Sequence, residues 1–467
     1  MVHLLSLPLE ILGIICSNFC RHCTHEPKEP EFREPGQPAE PIGLDDTCFK
    51  GADCYLADKT GAKNATLSAM AQTCKALRDI AQPYICHHPA IYDPEVYKLL
   101  HRTLVERPHF TQHIKELSAF DMTLADVTTI PDLATEKKLL RRSLEDNPYR
   151  KPSLNLEKRV KIKYNTTILL TTLVLPFGTK LQTLHFVLDE DCKFPTCAPG
   201  SLPRLKELVV NNKWNRQEAF KVISSLLIAA PALERLGGIR FSGPDWKGPQ
   251  PPIHEGVKEV LLERCVLGPK VFTTLLNLFP RLEAFTYESY SYPPDGRSLG
   301  FDSDASVSEI GEALLACPDL RFLSLDFTSS RPSNDPTGHL AKLKKLQKFR
   351  FKGLSPHDPP EKRSFPRKTP LVKMCDMLPD SITELEVTYP NTSIFNAMVE
   401  LSAVASQRFP LLKQVSITGI EQEWEIGDWR VHACMGLARI NELREAFRQS
   451  GIELLAGDFG KFRSWVI

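Results

Sequence analysis

Cys20-x-x-Cys23, with His22 and His25 beside it and Cys48 and Cys54 further along, carries the residue types that bind zinc. Thiolates and imidazoles are the usual ligands of that ion. A strong zinc signal needs compact pairs, and here the second pair is interrupted by five residues. Cys20 also closes an apolar helical stretch, where a buried thiol is ordinary. The expectation is no bound metal. Cys192 and Cys197 read as unpaired loop thiols. His87 and His88 follow Cys86 at a helix-end position before Pro89, and are expected on a polar surface.

Phosphate-binding patterns are missing. The chain has no Gly-x-Gly-x-x-Gly and no Walker loop, and Gly61-Ala62-Lys63 lacks the preceding glycine and strand that a phosphate loop needs. Its 13 histidines are scattered singly. The expectation is a protein that is not an enzyme and takes no cofactor. Lys+Arg number 58 against 57 Asp+Glu, a formal net charge of +1. A nucleic-acid-binding chain usually shows a basic excess, so that partner is disfavoured. No apolar run reaches the ~18 residues of a membrane span, and the apolar start at Met1–Cys16 carries Glu10 and no basic leader. Thirteen cysteines, an odd and scattered set, suit a reducing compartment, cytoplasmic or nuclear.

The elements that position these residues follow from a repeat. An apolar residue, two variable ones, a second apolar residue, one variable and a third apolar residue recur at Leu181/Leu184/Phe186, Leu205/Leu208/Val210, Val257/Val260/Leu262 and Leu282/Phe285/Tyr287. The pattern continues at Leu320/Leu323/Leu325, Leu346/Phe349/Phe351, Ile382/Leu385/Val387 and Leu412/Val415/Ile417, with weaker copies at Ile114/Leu117 and Leu233/Leu236. Proline stands two residues before the first leucine at Pro203, Pro231, Pro280, Pro318 and Pro410. Amphipathic stretches at Glu218–Ala229, Lys270–Phe279, Ser308–Cys317 and Ile394–Phe409 precede the copies. Each unit therefore predicts a helix, a proline turn and a short strand buried on alternate residues. No unit can bury its apolar face alone, so the units must stack into a solenoid, with parallel strands on the concave side and helices on the convex side.

Residues between the apolar positions then form aligned rows on the strand face. Glu259, Glu263, Glu288 and Asp326 make an acidic zone beside the basic row Lys348/Arg350/Lys352. That row could grip an acidic or phosphorylated client, with Phe322 and Glu288 nearby; Glu384 and Glu386 on the next row could instead neutralise it. At the C-terminus, Arg430–Arg448 is expected as a capping helix, with Leu437, Ile440, Leu443 and Phe447 on its apolar face, and Ile452–Leu455 as a last strand. The polar, proline-rich stretches Ser289–Ser306, Ser329–Gly338 and Ser355–Pro370 are expected as loops on one rim.

The N-terminal stretch Leu4–Cys20 predicts a helix with Ser6 as cap and an apolar stripe of Leu7, Ile11, Leu12 and Ile15. Thr66–Pro83 predicts a second, with Leu67, Met70, Cys74, Leu77 and Ile80 on one face. Between them Glu26–Pro41 is rich in Pro and Glu, the composition of a flexible linker.

These two stretches resemble the halves of an F-box: Leu7-Pro8-x-Glu10-Ile11-Leu12-x-x-Ile15 matches its start and Leu67-x-x-Met70-x-x-x-Cys74-Lys75-x-Leu77-Arg78 its middle. The segments that follow, with Arg107, Pro108, His113 and Leu117, resemble the fungal branch of the F-box/leucine-rich-repeat family. An F-box is contiguous, whereas here about 24–64 intervenes. The resemblance implies a module over 1–90 with that insert, a helical connector and irregular repeats over 91–180, and a leucine-rich-repeat array with its cap over 181–467. It implies a substrate-recognition subunit of an SCF-type ubiquitin ligase. Leu7, Pro8, Ile11, Leu12, Ile15, Leu67, Met70, Cys74 and Leu77 would meet the cullin-linking adaptor, and the repeats a client protein. The alternative is a leucine-rich-repeat scaffold with no link to ubiquitination.

Overall fold

The five prolines occupy one structural position. In the computed structural model the amide of each following leucine bonds to the carbonyl three residues back: Leu205 to Leu202, Leu233 to Ala230, Leu282 to Phe279, Leu320 to Cys317 and Leu412 to Phe409. Pro203, Pro231, Pro280, Pro318 and Pro410 are thus second in a four-residue turn, where a fixed φ near −65° costs nothing. At Pro231, Pro280, Pro318 and Pro410 the turn delivers the chain from a helix into a strand, and the leucine that closes it is buried in all five copies.

The structure describes residues 6–24, 65–91, 100, 102–104, 106–119, 179–188, 197–212, 219–243, 245–246, 250–289, 305–326, 339–352, 374–388, 392–418, 423–426, 429–432 and 437–457. The insert beyond Thr24 with His25, Cys48 and Cys54, most of the 91–180 connector, Cys192 and the greater part of the three rim loops lie outside them. The described residues up to Gly237 and those at 250–252 form one compact unit; those between 238 and 247 and from Ile253 onward form another.

In the first unit, α1 (Leu9–Asn18), α2 (Arg21–Thr24), α3 (65–73) and α4 (Lys75–Ile85) lead into β1 (Ala90–Ile91) and β2 (Glu116–Ala119). These are followed by β3 (Thr183–Val187), β4 (Glu207–Asn211), α5 (Ala219–Ala229) and the start of β5 (Arg235–Ile239). Strands β1 to β4 pair in order, all parallel, with Leu117, Leu184 and Leu208 in register.

In the second unit, β6 (Ser242–Gly243) pairs with β7 (Glu259–Leu267). After β7 come α6 (Pro269–Asn277), β8 (Ala284–Ser289), α7 (Val307–Leu314), β9 (Phe322–Asp326) and β10 (Lys348–Lys352). Then follow α8 (Met374–Met377), β11 (Glu384–Thr388), α9 (Thr392–Arg408) and β12 (Gln414–Thr418). The strands run parallel in the order β7-β8-β9-β10-β11-β12, and β15 (Glu453–Gly457) completes the edge after α10 (Leu437–Gln449). One row, Val260, Phe285, Leu323, Phe349, Leu385, Val415 and Leu454, runs through it in register. Every apolar residue of the repeat triplets named from the sequence is buried. Parallel strands with intervening helices, an α/β architecture, are what such a row requires, because a parallel pair cannot be joined by a tight hairpin and needs a crossover connection.

One detail extends the repeat pattern and another departs from expectation. Val257-x-x-Val260-x-Leu262 continues to Cys265 and Leu267, so this copy matches more than the leucine spacing. Buried Cys265 accepts from the Phe241 amide at 3.4 Å and donates to the Gly238 carbonyl at 3.5 Å, tying neighbouring turns together. Burial pushes its thiol far above the ordinary range. At the C-terminus, 429–432 is strand rather than helix: β13 (Glu423–Ile426) and β14 (Trp429–His432) pair antiparallel. Trp424/Ile426 and Trp429/Val431 alternate around Gly427-Asp428, a hairpin signature. The capping helix starts only at Leu437; its Ile440, Leu443 and Phe447 are buried as expected, while the Leu437 side chain is outside the description.

Candidate docking face and thiol cluster

Helix α1 begins without the Ser6 cap expected from sequence. Pro8 takes the N-cap position, and its carbonyl accepts from the amides of Ile11 and Leu12, each at 3.1 Å. With about 100° per residue, Leu12, Cys16 and the following Cys20 fall on one side. That side closes a small core with Leu67, Ala71 and Ala81, lined by half-buried Met70, Ile80, Tyr84 and Ile85. Ile11 and Ile14 fall on the opposite side and are 42% and 57% exposed. Leu9 is 68% exposed, Phe19 36%, and Pro8 is exposed beside half-buried Leu7 and Ile15. The helix is apolar on two faces and its own module covers only one. A helix apolar all round needs cover on both faces.

The nine residues assigned to adaptor contact by resemblance therefore separate. Leu12, Leu67 and Leu77 are core and shape the module from inside; Met70 and Cys74 are half-buried. Pro8 and Ile11 are exposed. Leu9, Ile14 and Phe19 join them on the surface, although sequence reasoning did not single them out. Both stripes of α1 are apolar, so periodicity alone could not say which one faces inward.

The stretch Thr66–Pro83 is not one helix. Cys74 adopts an extended conformation (φ −158°, ψ 166°) between α3 and α4. The break is held by side chains: Thr73 Oγ1 donates back to the Met70 carbonyl at 2.7 Å, and Arg78 Nε donates to the Ala71 carbonyl at 3.1 Å. Both satisfy carbonyls that a helix end leaves without partners.

His87 and His88 are buried, not surface residues. The chain turns after α4, with the His87 amide donating to the Tyr84 carbonyl, and the His87 carbonyl receives the amides of Lys115 and Glu116, both at 3.0 Å. The His87 ring sits 5.1 Å from that of Tyr84. Its Nδ1 lies 3.5 Å from Cys20 Sγ and 3.5 Å from Cys23 Sγ, and the three ligating atoms fall within 4.8 Å of one another. Cys20 Sγ also reaches the Tyr84 carbonyl at 3.6 Å. Burial, then the neighbouring Cys20, push the Cys23 thiol up to about 11. His88 Nδ1 is 3.7 Å from the Glu116 carboxylate. The partner of the Cys-x-x-Cys pair is thus 64 residues away in sequence, a distance no local motif spans.

On the strand face two residues of the basic row are paired. Lys348 and Arg350 stand opposite Glu384 and Glu386 in the ladder. Lys348 Nζ lies 2.9 Å from Glu384, and Arg350 reaches Glu386 at 2.6 and 2.7 Å. Of the two readings left open by the sequence, neutralisation by the next row is the one the register produces. The Lys352 side chain is outside the described residues. Phe322, in register with Lys348, and Glu288 are half-buried. Similar pairs join residues just ahead of neighbouring strands, Lys206–Glu234 at 2.9 Å and Lys258–Glu283 at 3.4 Å. Glu263 differs: burial first, then the Glu288 carboxylate, raise its acid to about 8.

The fold and site define a parallel-strand repeat protein with an N-terminal helical module that leaves an apolar face uncovered. No protein-family model matches the chain, and no curated protein matches it. Among solved structures, one titled "Crystal structure of Rad7 and Elc1 complex in yeast" resembles it over 80% of this chain and 93% of that one, at 12% identity and a TM-score of 0.30. At that score the likeness carries no argument.

Proposed function

We propose that this chain is the substrate-recognition subunit of an SCF-type ubiquitin ligase, acting by binding rather than catalysis. In this reading α1 with α3 and α4 is the F-box-like module, and the strand repeats are leucine-rich repeats that hold a client protein. The observation that carries it is the second apolar stripe of α1, with Ile11 and Ile14 turned away from their own core. An amphipathic helix offers such a stripe to a groove on a partner. The F-box resemblance at Leu7-Pro8-x-Glu10-Ile11-Leu12 supplies the partner, the cullin-linking adaptor. The near-zero net charge fits a protein client better than nucleic acid. Among the described residues no helix is long and apolar enough to cross a membrane, and the proposed place of action is cytoplasm or nucleus.

With Lys348 and Arg350 paired to Glu384 and Glu386, these two residues do not act as free cations toward a client. The half-buried surface around Phe322 and Glu288 remains the proposed client face. Co-expression of the full chain with the adaptor tests the reading. Replacing Ile11 and Ile14 with Asp should remove co-purification, since central apolar contacts of such an interface are worth about 2 kcal/mol each. Retention of the adaptor by the double variant would favour the scaffold alternative.

A further inference from the structure

The geometry points to a metal site: Cys20, Cys23 and His87 hold a zinc-class divalent cation through two Sγ atoms and Nδ1, with a water molecule in the fourth position. Three observations converge on it. Both thiols approach the same ring nitrogen at an equal 3.5 Å. A neutral imidazole nitrogen offers one lone pair or one N–H, so it serves two thiols poorly. A cation between the three atoms satisfies all of them at once.

The dimensions agree as well. Zinc–sulfur bonds of about 2.3 Å and zinc–nitrogen bonds of about 2.0–2.1 Å, at a tetrahedral angle, put sulfur and nitrogen about 3.6 Å apart. The observed separations match that edge, and the whole set fits within 4.8 Å. Finally, His87 is held before any metal arrives. Its backbone is fixed by the Tyr84 carbonyl on one side and by the Lys115 and Glu116 amides on the other. A cation there staples α2 to the end of α4 and, through the His87 carbonyl, to the entry of β2.

Binding is a proton exchange with no redox change. Each thiol gives one proton to solvent, two sulfur–metal bonds and one nitrogen–metal bond form, and the aqueous cation sheds the waters they replace. The site is independent of the adaptor-docking reading, because it uses the inward side of the module.

The test is elemental analysis of the full chain, produced without a histidine tag. About one zinc per chain is expected in the wild type and in a Cys197→Ser/Cys375→Ser control, and less than about a tenth in Cys20→Ser/Cys23→Ser. Wild-type chain stripped with a chelator and titrated with cobalt(II) alone should develop a thiolate charge-transfer band and the intense visible bands of a tetrahedral centre. The cobalt spectrum needs no variant, so it decides the matter even if the double variant fails to fold. An octahedral cobalt spectrum overturns the site, as does unchanged zinc in a folded Cys20→Ser/Cys23→Ser variant. So does a metal-free chain whose peptide map shows a Cys20–Cys23 disulfide.

Discussion

The strand ladder of the second unit and the helical module of the first manage their side chains in opposite ways. In the ladder every repeated apolar residue is inside, and the charges Lys348, Arg350 and Lys258 on its face or rim have partners one strand away. In the module Leu9, Ile11, Ile14 and Phe19 are outside, while the thiols of Cys16, Cys20 and Cys86 and two histidines are inside. A repeat stacks against its neighbours and can satisfy its needs internally. The helices described in the module do not, and what they leave uncovered or buried against type marks where the module's chemistry lies.

The sharpest way to break that contrast is to delete one buried and one exposed side chain. Phe285→Ala removes a ring buried in the continuous row, and should lower unfolding stability by about 3–5 kcal/mol through lost burial and a cavity. Ile14→Ala should change it by less than about 0.5 kcal/mol. Denaturant melts of both variants measure the difference; comparable losses would mean that Ile14 packs as core.

A smaller effect is expected at Glu263, the acid on the strand face that burial holds near 8. The folded chain binds this proton more tightly than the unfolded chain. Its favourable contribution is full below the ordinary value of 4.5 and is lost as pH rises through about 8. Glu263→Gln should therefore melt at nearly the wild-type temperature at about pH 5, and be more stable by about 2 kcal/mol at about pH 9. Equal pH profiles for the two proteins would remove the buried acid from the account.

Least is expected of the charge pairs. A double-mutant cycle on Lys348→Ala and Glu384→Ala should return no more than about 1 kcal/mol, because Glu384 is well solvated. A coupling well above that would show the strand face to be drier than the ladder geometry implies.

How legible all this was in the sequence differs between the two units for physical reasons. The ladder announces itself because period-two burial and a proline at one turn position recur with each copy, so Leu282-x-x-Phe285-x-Tyr287 could be assigned before any coordinates. Its charge pairing was half legible: Glu384 and Glu386 could be proposed to neutralise Lys348 and Arg350, but only the strand register places them directly opposite. The module resists such reading. Two apolar stripes on α1 leave its orientation undetermined, and the helix break at Cys74 depends on Arg78 capping Ala71. His87 joins Cys20 and Cys23 only after α1, α2 and α4 have packed. The hairpin of β13 and β14 is signalled by alternating Trp and aliphatic residues around Gly427-Asp428, a pattern that overlaps the start of the helical stretch expected from Arg430.

In the proposed function the outward stripe of α1 docks the cullin-linking adaptor. Titrating purified full-length chain with the adaptor, in parallel for wild type and Ile11→Asp/Ile14→Asp, tests it most directly. Saturable one-to-one binding is expected, weakened at least about 100-fold in the double variant, while the melting temperature and the zinc content stay as in the wild type. Equal affinity in the two proteins, or no binding by either, would contradict it.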